Sequence, residues 1–373
     1  MTPWFSRDEY IGRVQKVQAT LRERGYDALI AYLPESVTYL TGFFTRGYTS
    51  FQFAIIPVDA EPIVVCRDVE KYYLDSTCVY SDHYLWSDGR NPMDTGVRAI
   101  RDTLGASSSC VIELEAWPLT ASRFAALEQG LPGTSFVDGS AIVSDMCLIK
   151  SPAEIAYQRQ AGIIAETAMN AAIETAVAGA SERDVAAAIC SAIILAGGER
   201  PGPGVLSSGD RALYLHGAYT DRVLAPYDLV QVEVTPSVRY YNARFMRPIK
   251  ASQATQEDHD LVSQLIAIQD RALNEVGPDV PADLPDSVYR EGIVNTGLVE
   301  RYTNKTFYGL GCHMDPNDGE CLEAAPGCTW RFKAGMTFHT YLLVCGFGIS
   351  ETITITDSGY ERLTQFPRQL FVT

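Results

Sequence analysis

Several features are missing from this 373-residue sequence, and each absence removes a class of protein. No run of about 18 apolar residues occurs, so no segment reads as a membrane-spanning helix. The opening residues, MTPWFSRDEY, lack the basic-then-apolar order of a secretory signal. Basic residues number 30 against 46 acidic ones, for a net charge of −16. A surface of that sign argues against nucleic acid or anionic membrane as a partner. The nine cysteines are scattered with no CxxC spacing, which fits reduced thiols better than a disulfide frame or a zinc site. HExxH, GxSxG and Cys/His ligand spacings are absent. The GLG and GFG triplets in the last third lack the strand–loop–helix setting of a phosphate loop. There is no internal repeat and no low-complexity tract. The expected product is a soluble cytoplasmic protein.

What is present is ordinary globular material, 46% hydrophobic and 20% charged, long enough for two domains. Residues 6–25 carry apolar positions at helical spacing and end on Gly. Short β-branched and aromatic runs then alternate with helical stretches (DALIAYLP, SFQFAIIPV, EPIVVCR, SCVIELE), which predicts an α/β domain with a mixed sheet over 1–149. A boundary follows. Ser151-Pro152-Ala153-Glu154 has an N-cap Ser, a Pro at the first helical position and a Glu closing a capping box, ahead of a long Ala/Ile-rich helix. Ser181 to Asp184 repeats the device. Later helices are expected near 257–276 and 286–298, and the rest reads as strand and loop. Helices and strands are more segregated here, so residues 150–373 are expected to be α+β, with helices covering a curved antiparallel sheet.

The second domain is organised around residues 228–247, DLVQVEVTPSVRYYNARFMR: a turn, a buried strand, a Pro-containing reversal and a second strand. Glu233 stands inside the apolar run. A carboxylate there is costly to bury unless it is paired or used, so it is either a satisfied ion pair or part of a site. Of the five histidines, His216 lies in the polar loop just before this strand, where a general base is well placed, although a loop His is more often plain surface. His313 sits in a Gly-spaced turn. His339 sits in FHTYLLV, where alternation can turn it inward, and reads first as a core histidine. Glu351 opens the last alternating strand, ETITIT. On residue chemistry alone this is a two-domain protein with carboxylates and a His near strand ends.

The order of the segments resembles the creatinase/aminopeptidase-P superfamily with its pita-bread fold, across nearly the whole chain. TYLTGF at 38–43, KSPAEI at 150–155, YLHGAYTDRVLAPYDLVQVEV, GMTFHTYLLV and SETITITDSGYERLT each resemble a family segment, in the family's order. Metal-dependent members hold two divalent ions with two Asp, a His and two Glu. Here those positions carry Glu233, Arg244, Tyr308, Tyr341 and, by strict register, Ser350, with Glu351 one residue away. One or two carboxylates with an installed Arg do not suit a pair of hard cations. No catalytic metal and no cofactor are therefore expected, and the Arg244 cation is a candidate to fill the vacated charge.

The C-terminal run through PRQLFVT and the N-terminal FSRDEYIGRVQ are similar to the metal-free ectoine hydrolase branch, beside creatinase. That resemblance implies a hydrolase opening a C–N bond of a small zwitterionic compound. His216 is expected as general base or acid, with Glu233 and Glu351 gripping the cationic part of the substrate. Tyr308, Tyr341, His313 and Arg247 are expected to bind substrate. Arg46 and Tyr48, from the loop FFTRGYTSFQ, are expected to reach a neighbouring subunit's site in a homodimer. The FFTRGYTSFQ loop departs from an ectoine-specific pattern, so the substrate stays open. Two alternatives remain: an inactive pita-bread protein that binds peptides, and a residual Xaa-Pro metallopeptidase.

Overall fold

The computed structural model describes residues 2–199, 201–316 and 322–373; the ninth cysteine, Cys321, lies outside them. The eight described cysteines are all free thiols. The chain divides into two compact units, Met1–Met146 and Cys147–Thr373.

The first unit runs α1 (Arg7–Arg24), β1 (Ala28–Ala31), α2 (Pro34–Thr41), β2 (Phe53–Pro57), β3 (Ile63–Arg67), α3 (Lys71–Thr77), β4 (His83–Trp86), α4 (Pro92–Leu104), β5 (Ser108–Ile112), α5 (Ala121–Gly130) and β6 (Thr134–Asp138), and α6 (Ser140–Cys147) closes it. Its six strands form one sheet in the order β4-β3-β2-β1-β5-β6. Pairing is antiparallel at β1–β2 and β2–β3 and parallel at β3–β4, β1–β5 and β5–β6. This is the mixed sheet that the alternating pattern implies. Its central strand, ALIA, is buried on both faces, as a strand covered on both sides must be.

The second unit carries α7 (Pro152–Thr175), α8 (Glu182–Leu195), β7 (Val205–Ser208), β8 (Leu229–Val234), β9 (Ser237–Val238), β10 (Tyr241–Asn242), β11 (Phe245–Lys250), α9 (Gln256–Asn274), α10 (Asp283–Val294), β12 (Phe307–Gly309), β13 (Glu323–Ala324), β14 (Thr337–Val344), β15 (Phe347–Ile355), β16 (Tyr360–Arg362) and β17 (Phe371–Val372). Capping boxes close the N-termini of α7 (Ser151/Glu154), α8 (Ser181/Asp184) and α9 (Thr255/Asp258), each satisfying backbone donors that would otherwise be orphaned.

The expected curved sheet takes the form of two: a four-stranded sheet in the order β17-β11-β8-β7 and a five-stranded one in the order β13-β12-β14-β15-β16. α7 and α8 cover the first through Ala165, Ala168, Val185 and Ile189 against Val230, Val232, Val234 and Phe245. α9 and α10 cover the second through Leu265, Ile268 and Tyr289 against Leu342, Ile349 and Ile353. Between β11 and β15 the join is made by side-chain hydroxyls. Ser350 Oγ accepts from the Met246 N–H at 2.6 Å, and Thr352 Oγ1 accepts from the Arg244 N–H and donates to its carbonyl, both at 2.8 Å. The helix-free faces of both sheets are left to build a site. This is a pita-bread domain preceded by an α/β domain.

Candidate active site

A cavity of about 480 Å³ lies in the second unit, a size that suits a small ligand. It is lined by Glu233 of β8, Met246 of β11, Arg244 just before it, Tyr308 of β12 and His339 and Tyr341 of β14, with His216 and Leu215 from the loop after β7. Strand alternation selects these residues. In β8 the valines 230, 232 and 234 face the core under α7 and α8, which turns Glu233 to the opposite side; Met246 is its cross-strand partner. In β14, Phe338 and Leu342 face the core under α9 and α10, which turns His339 and Tyr341 into the cavity.

The same period sets two expected site residues apart. Ser350 is the cross-strand partner of Tyr341 and Thr352 that of His339, so those two share the cavity side of β15. Glu351 lies between them and shares its face with the core residues Ile349 and Ile353. It is fully buried and pairs with Arg247 Nη2 at 2.7 Å. Its other oxygen accepts from the Thr364 hydroxyl. Arg247 sits between Phe245 and Ile249 and also donates to the carbonyls of Met246, Ser350, Phe366 and Pro367. Burial pulls the Arg247 pKa down, opposed by the Glu351 charge. Glu351 and Arg247 therefore form a structural pair outside the cavity. His313 is also away from the cavity lining; it is buried, and its Nε2 accepts from the Gly311 N–H at 3.0 Å. Arg46 and Tyr48 lie in the first unit, between α2 and β2, Arg46 exposed and Tyr48 buried.

His216 is exposed at the cavity, on a loop held by one buried carboxylate. Glu182, at the start of α8, accepts from the Ser208 hydroxyl at 2.7 Å, from Arg211 Nη1 at 2.8 Å, and from the Thr220 N–H and hydroxyl at 2.6 and 2.8 Å. Burial alone would raise its pKa; the bonds from Ser208, Arg211 and Thr220 outweigh it and hold the carboxylate ionised below its usual range. Gly217 lets this loop lie against β7, since a Cβ there would stand 2.2 Å from Ser207 Oγ.

Glu233 is the deep carboxylate. It is 5% exposed, and its Oε1 makes no hydrogen bond. The Arg244 guanidinium is 3.8 Å from that oxygen and His339 Nδ1 is 3.9 Å from it. Burial raises the Glu233 pKa, and the Arg244 charge opposes the rise. Arg244 Nη1 donates to the Tyr308 hydroxyl at 2.9 Å, and that hydroxyl lies 2.7 Å from His339 Nδ1. His339 stacks on Tyr341, with ring centroids 5.2 Å apart and planes 10° apart. Burial, reinforced by the Arg244 charge, drives the His339 pKa well below 6.5, so the ring is neutral. Further out, Lys305 pairs with Glu323 and lies 5.2 Å over the Tyr308 ring. His339, read first as core, is both fully buried and cavity-lining; its two-residue spacing from Tyr341 is the signal that carries it.

With fold and site in hand, the class is defined: the model of "Metallopeptidase family M24" matches residues 156–357 and that of "Creatinase/Prolidase N-terminal domain" matches residues 13–149. The chain belongs to metallopeptidase family M24, a family of hydrolases. Among individual proteins, it is 27% identical to the uncharacterised hydrolase/peptidase y4tM of Sinorhizobium fredii, over 99% of this chain and 98% of that one. It is 26% identical to the ectoine hydrolase of Halomonas elongata, again over 99% and 98%. The prolidase of Thermococcus sibiricus superposes with a TM-score of 0.86 at 22% identity, covering 98% of this chain and 99% of that one, a likeness of fold.

The family name implies metal, and the donor set here does not fit it. A pair of hard divalent cations needs several converging carboxylates or imidazoles. The cavity is lined by Glu233, Arg244, Tyr308 and Tyr341, with Ser350 beside Tyr341 on the same face of the sheet. One is a cation, and the Ser350 hydroxyl is bonded to backbone. Among the described residues no three His, Cys, Asp or Glu side chains are grouped to hold an ion.

Proposed function

We propose that this protein is a hydrolase that opens a C–N bond of a small zwitterionic compound, ectoine- or creatine-like, without a metal ion. The observation that carries the reading is the Glu233–Arg244 pair: opposite charges 3.8 Å apart, facing a cavity, with no hydrogen bond between them. A close buried pair would be self-satisfied; here Glu233 Oε1 makes no hydrogen bond and keeps its acceptor capacity for a ligand. A substrate with an amidinium at one end and a carboxylate at the other meets both. The amidinium presents two parallel N–H groups to Glu233, and Arg244 answers the carboxylate. Glu233 holds the amidinium in its protonated, electrophilic form. His216 takes a proton from the water whose oxygen bonds to the amidinium carbon and returns one to the leaving nitrogen as the C–N bond breaks.

Full-length similarity to an enzyme named ectoine hydrolase supports this substrate class, and the tyrosines and arginine at the ligand-equivalent positions support the absence of metal. Because Glu351 is committed to Arg247, the substrate cation falls to Glu233 alone. The test is turnover of ectoine, creatine, guanidino acids and Xaa-Pro dipeptides, followed by NMR, after dialysis against chelator. Hydrolysis of a zwitterion that survives dialysis and falls in E233Q bears the proposal out. Binding without turnover would favour the peptide-binding alternative, and dipeptide hydrolysis restored by added metal would return the protein to the metallopeptidases.

A further inference from the structure

The loop that carries His216 is tied to the strand that carries Glu233 through one side chain. Gln231 stands on β8 on the same face as Glu233, and it is buried. One end of its amide faces two carbonyl oxygens, that of Ala212 at 2.6 Å and that of Tyr214 at 3.0 Å. Carbonyls only accept, so this end is the NH2 group, and its two protons go one to each. The cross-strand neighbour of Gln231 on β7, Ser207, donates to the Arg211 carbonyl at 3.0 Å. The Tyr214 carbonyl also accepts from the Gly217 N–H, and the Gly217 carbonyl accepts from the Leu206 N–H of β7, both at 3.1 Å. His216 is thus pinned on both sides, at Tyr214 to β8 and at Gly217 to β7.

We propose that Gln231 is a positioning residue that fixes His216 relative to Glu233. Glu182 and Ser207 hold the loop farther from His216, at Arg211 and Thr220. Among the described residues the Ala212 carbonyl accepts from Gln231 alone. A methionine at 231 has the same reach and no proton to give. The Ala212 carbonyl then loses its donor, and Tyr214 keeps only the bond from Gly217 inside the loop. A buried carbonyl without a donor is costly, so this segment shifts toward water or another donor and His216 shifts with it. Glu233 stays in place, because β8 is laddered to β7 on one side and β11 on the other. The inference rests on the reading of His216 as the proton carrier, but its first two tests need no substrate.

Nitrogen-15 NMR of the glutamine-labelled full chain should show one side-chain NH2, absent from Gln231→Met, that exchanges slowly with water and has NOEs to residues 212–214. A freely exchanging Gln231 amide in the parent protein overturns the proposal, even if no variant folds. In Gln231→Met, hydrogen exchange at Leu206 and Gly217 should quicken by about tenfold or more while the rest of the chain stays near parent rates. Unchanged exchange there, or faster exchange spread over the whole chain, overturns it. On any substrate the protein hydrolyses, Gln231→Met should lower kcat by about tenfold or more with little change in KM. Because Gln231 acts through His216, the same substitution made in His216→Ala should change kcat by no more than about twofold. An equal loss in both backgrounds would mean that Gln231 acts by another route, and overturns the proposal. A failed substrate screen with the expected amide and the expected local exchange would defeat the proposed reaction and leave this inference standing.

Discussion

Glu233 and Glu351 are both buried carboxylates of the same unit, and their partners separate their roles. Glu233 keeps an unbonded oxygen at a cavity; Glu351 has bonds on both of its oxygens, to Arg247 and Thr364. Removing one member of a buried ion pair leaves an uncompensated charge, so Glu351→Ala should destabilise the protein by about 3–5 kcal/mol in urea unfolding. A stable E351A protein that had merely lost turnover would place Glu351 back in the chemistry. For His216 the expected pattern is the reverse. His216→Ala should lower turnover by roughly 10²–10⁴-fold while ligand still raises the melting temperature, because proton transfer is lost and binding is kept. Unchanged turnover would remove His216 from the mechanism. Glu233, Tyr308, Tyr341 and His216 do meet at one cavity; Glu233 and His216 stand out in the sequence as a carboxylate in an apolar strand and a loop His, whereas the two tyrosines come from the family resemblance alone. The sequence leaves Ser350 and Glu351 one residue apart and unresolved; a shift of one residue along a strand exchanges its faces, and it is the pairing of Ser350 with Tyr341 that puts Glu351 away from the cavity.

Secondary-structure elements were legible wherever a local rule acts alone. The capping boxes at Ser151 and Ser181 begin helices where the pattern puts them. What local rules do not carry is how β8, β11, β14 and β15 meet, because that depends on contacts such as Thr352 to Arg244, 108 residues apart. Gly204 is one such contact point. Its φ is +67°, and a Cβ there would stand 1.8 Å from the Glu233 carbonyl oxygen. Gly204→Ala should therefore cost about 2–3 kcal/mol and move the strand that carries Glu233, read by unfolding and by loss of ligand-induced stabilisation. In the first unit, Glu113 follows β5 and accepts from the Tyr32 and Leu33 N–H groups and the Ser36 hydroxyl where the chain enters α2. Burial lifts its pKa to about 7, against the opposing pull of those bonds. The folded chain thus holds a proton that the unfolded chain has already lost above its ordinary carboxylate range. Stability should fall as pH rises from about 4.5 to 7, by at most about 3 kcal/mol, and Glu113→Gln should flatten that slope.

At the scale of the whole molecule, a pita-bread domain frames a cavity in which Arg244, Tyr308 and Tyr341 stand around Glu233. A fold hosts a site without dictating it, so the family name does not settle the reaction. The central claim is that Glu233 and Arg244 bind the two charged ends of the substrate without a metal ion, and the most direct measurement is turnover of a small zwitterion by protein dialysed against chelator, with metal content measured on the same sample. The account predicts undiminished hydrolysis with metal far below one ion per chain. Activity that vanishes on dialysis and returns with manganese, zinc or iron would contradict it.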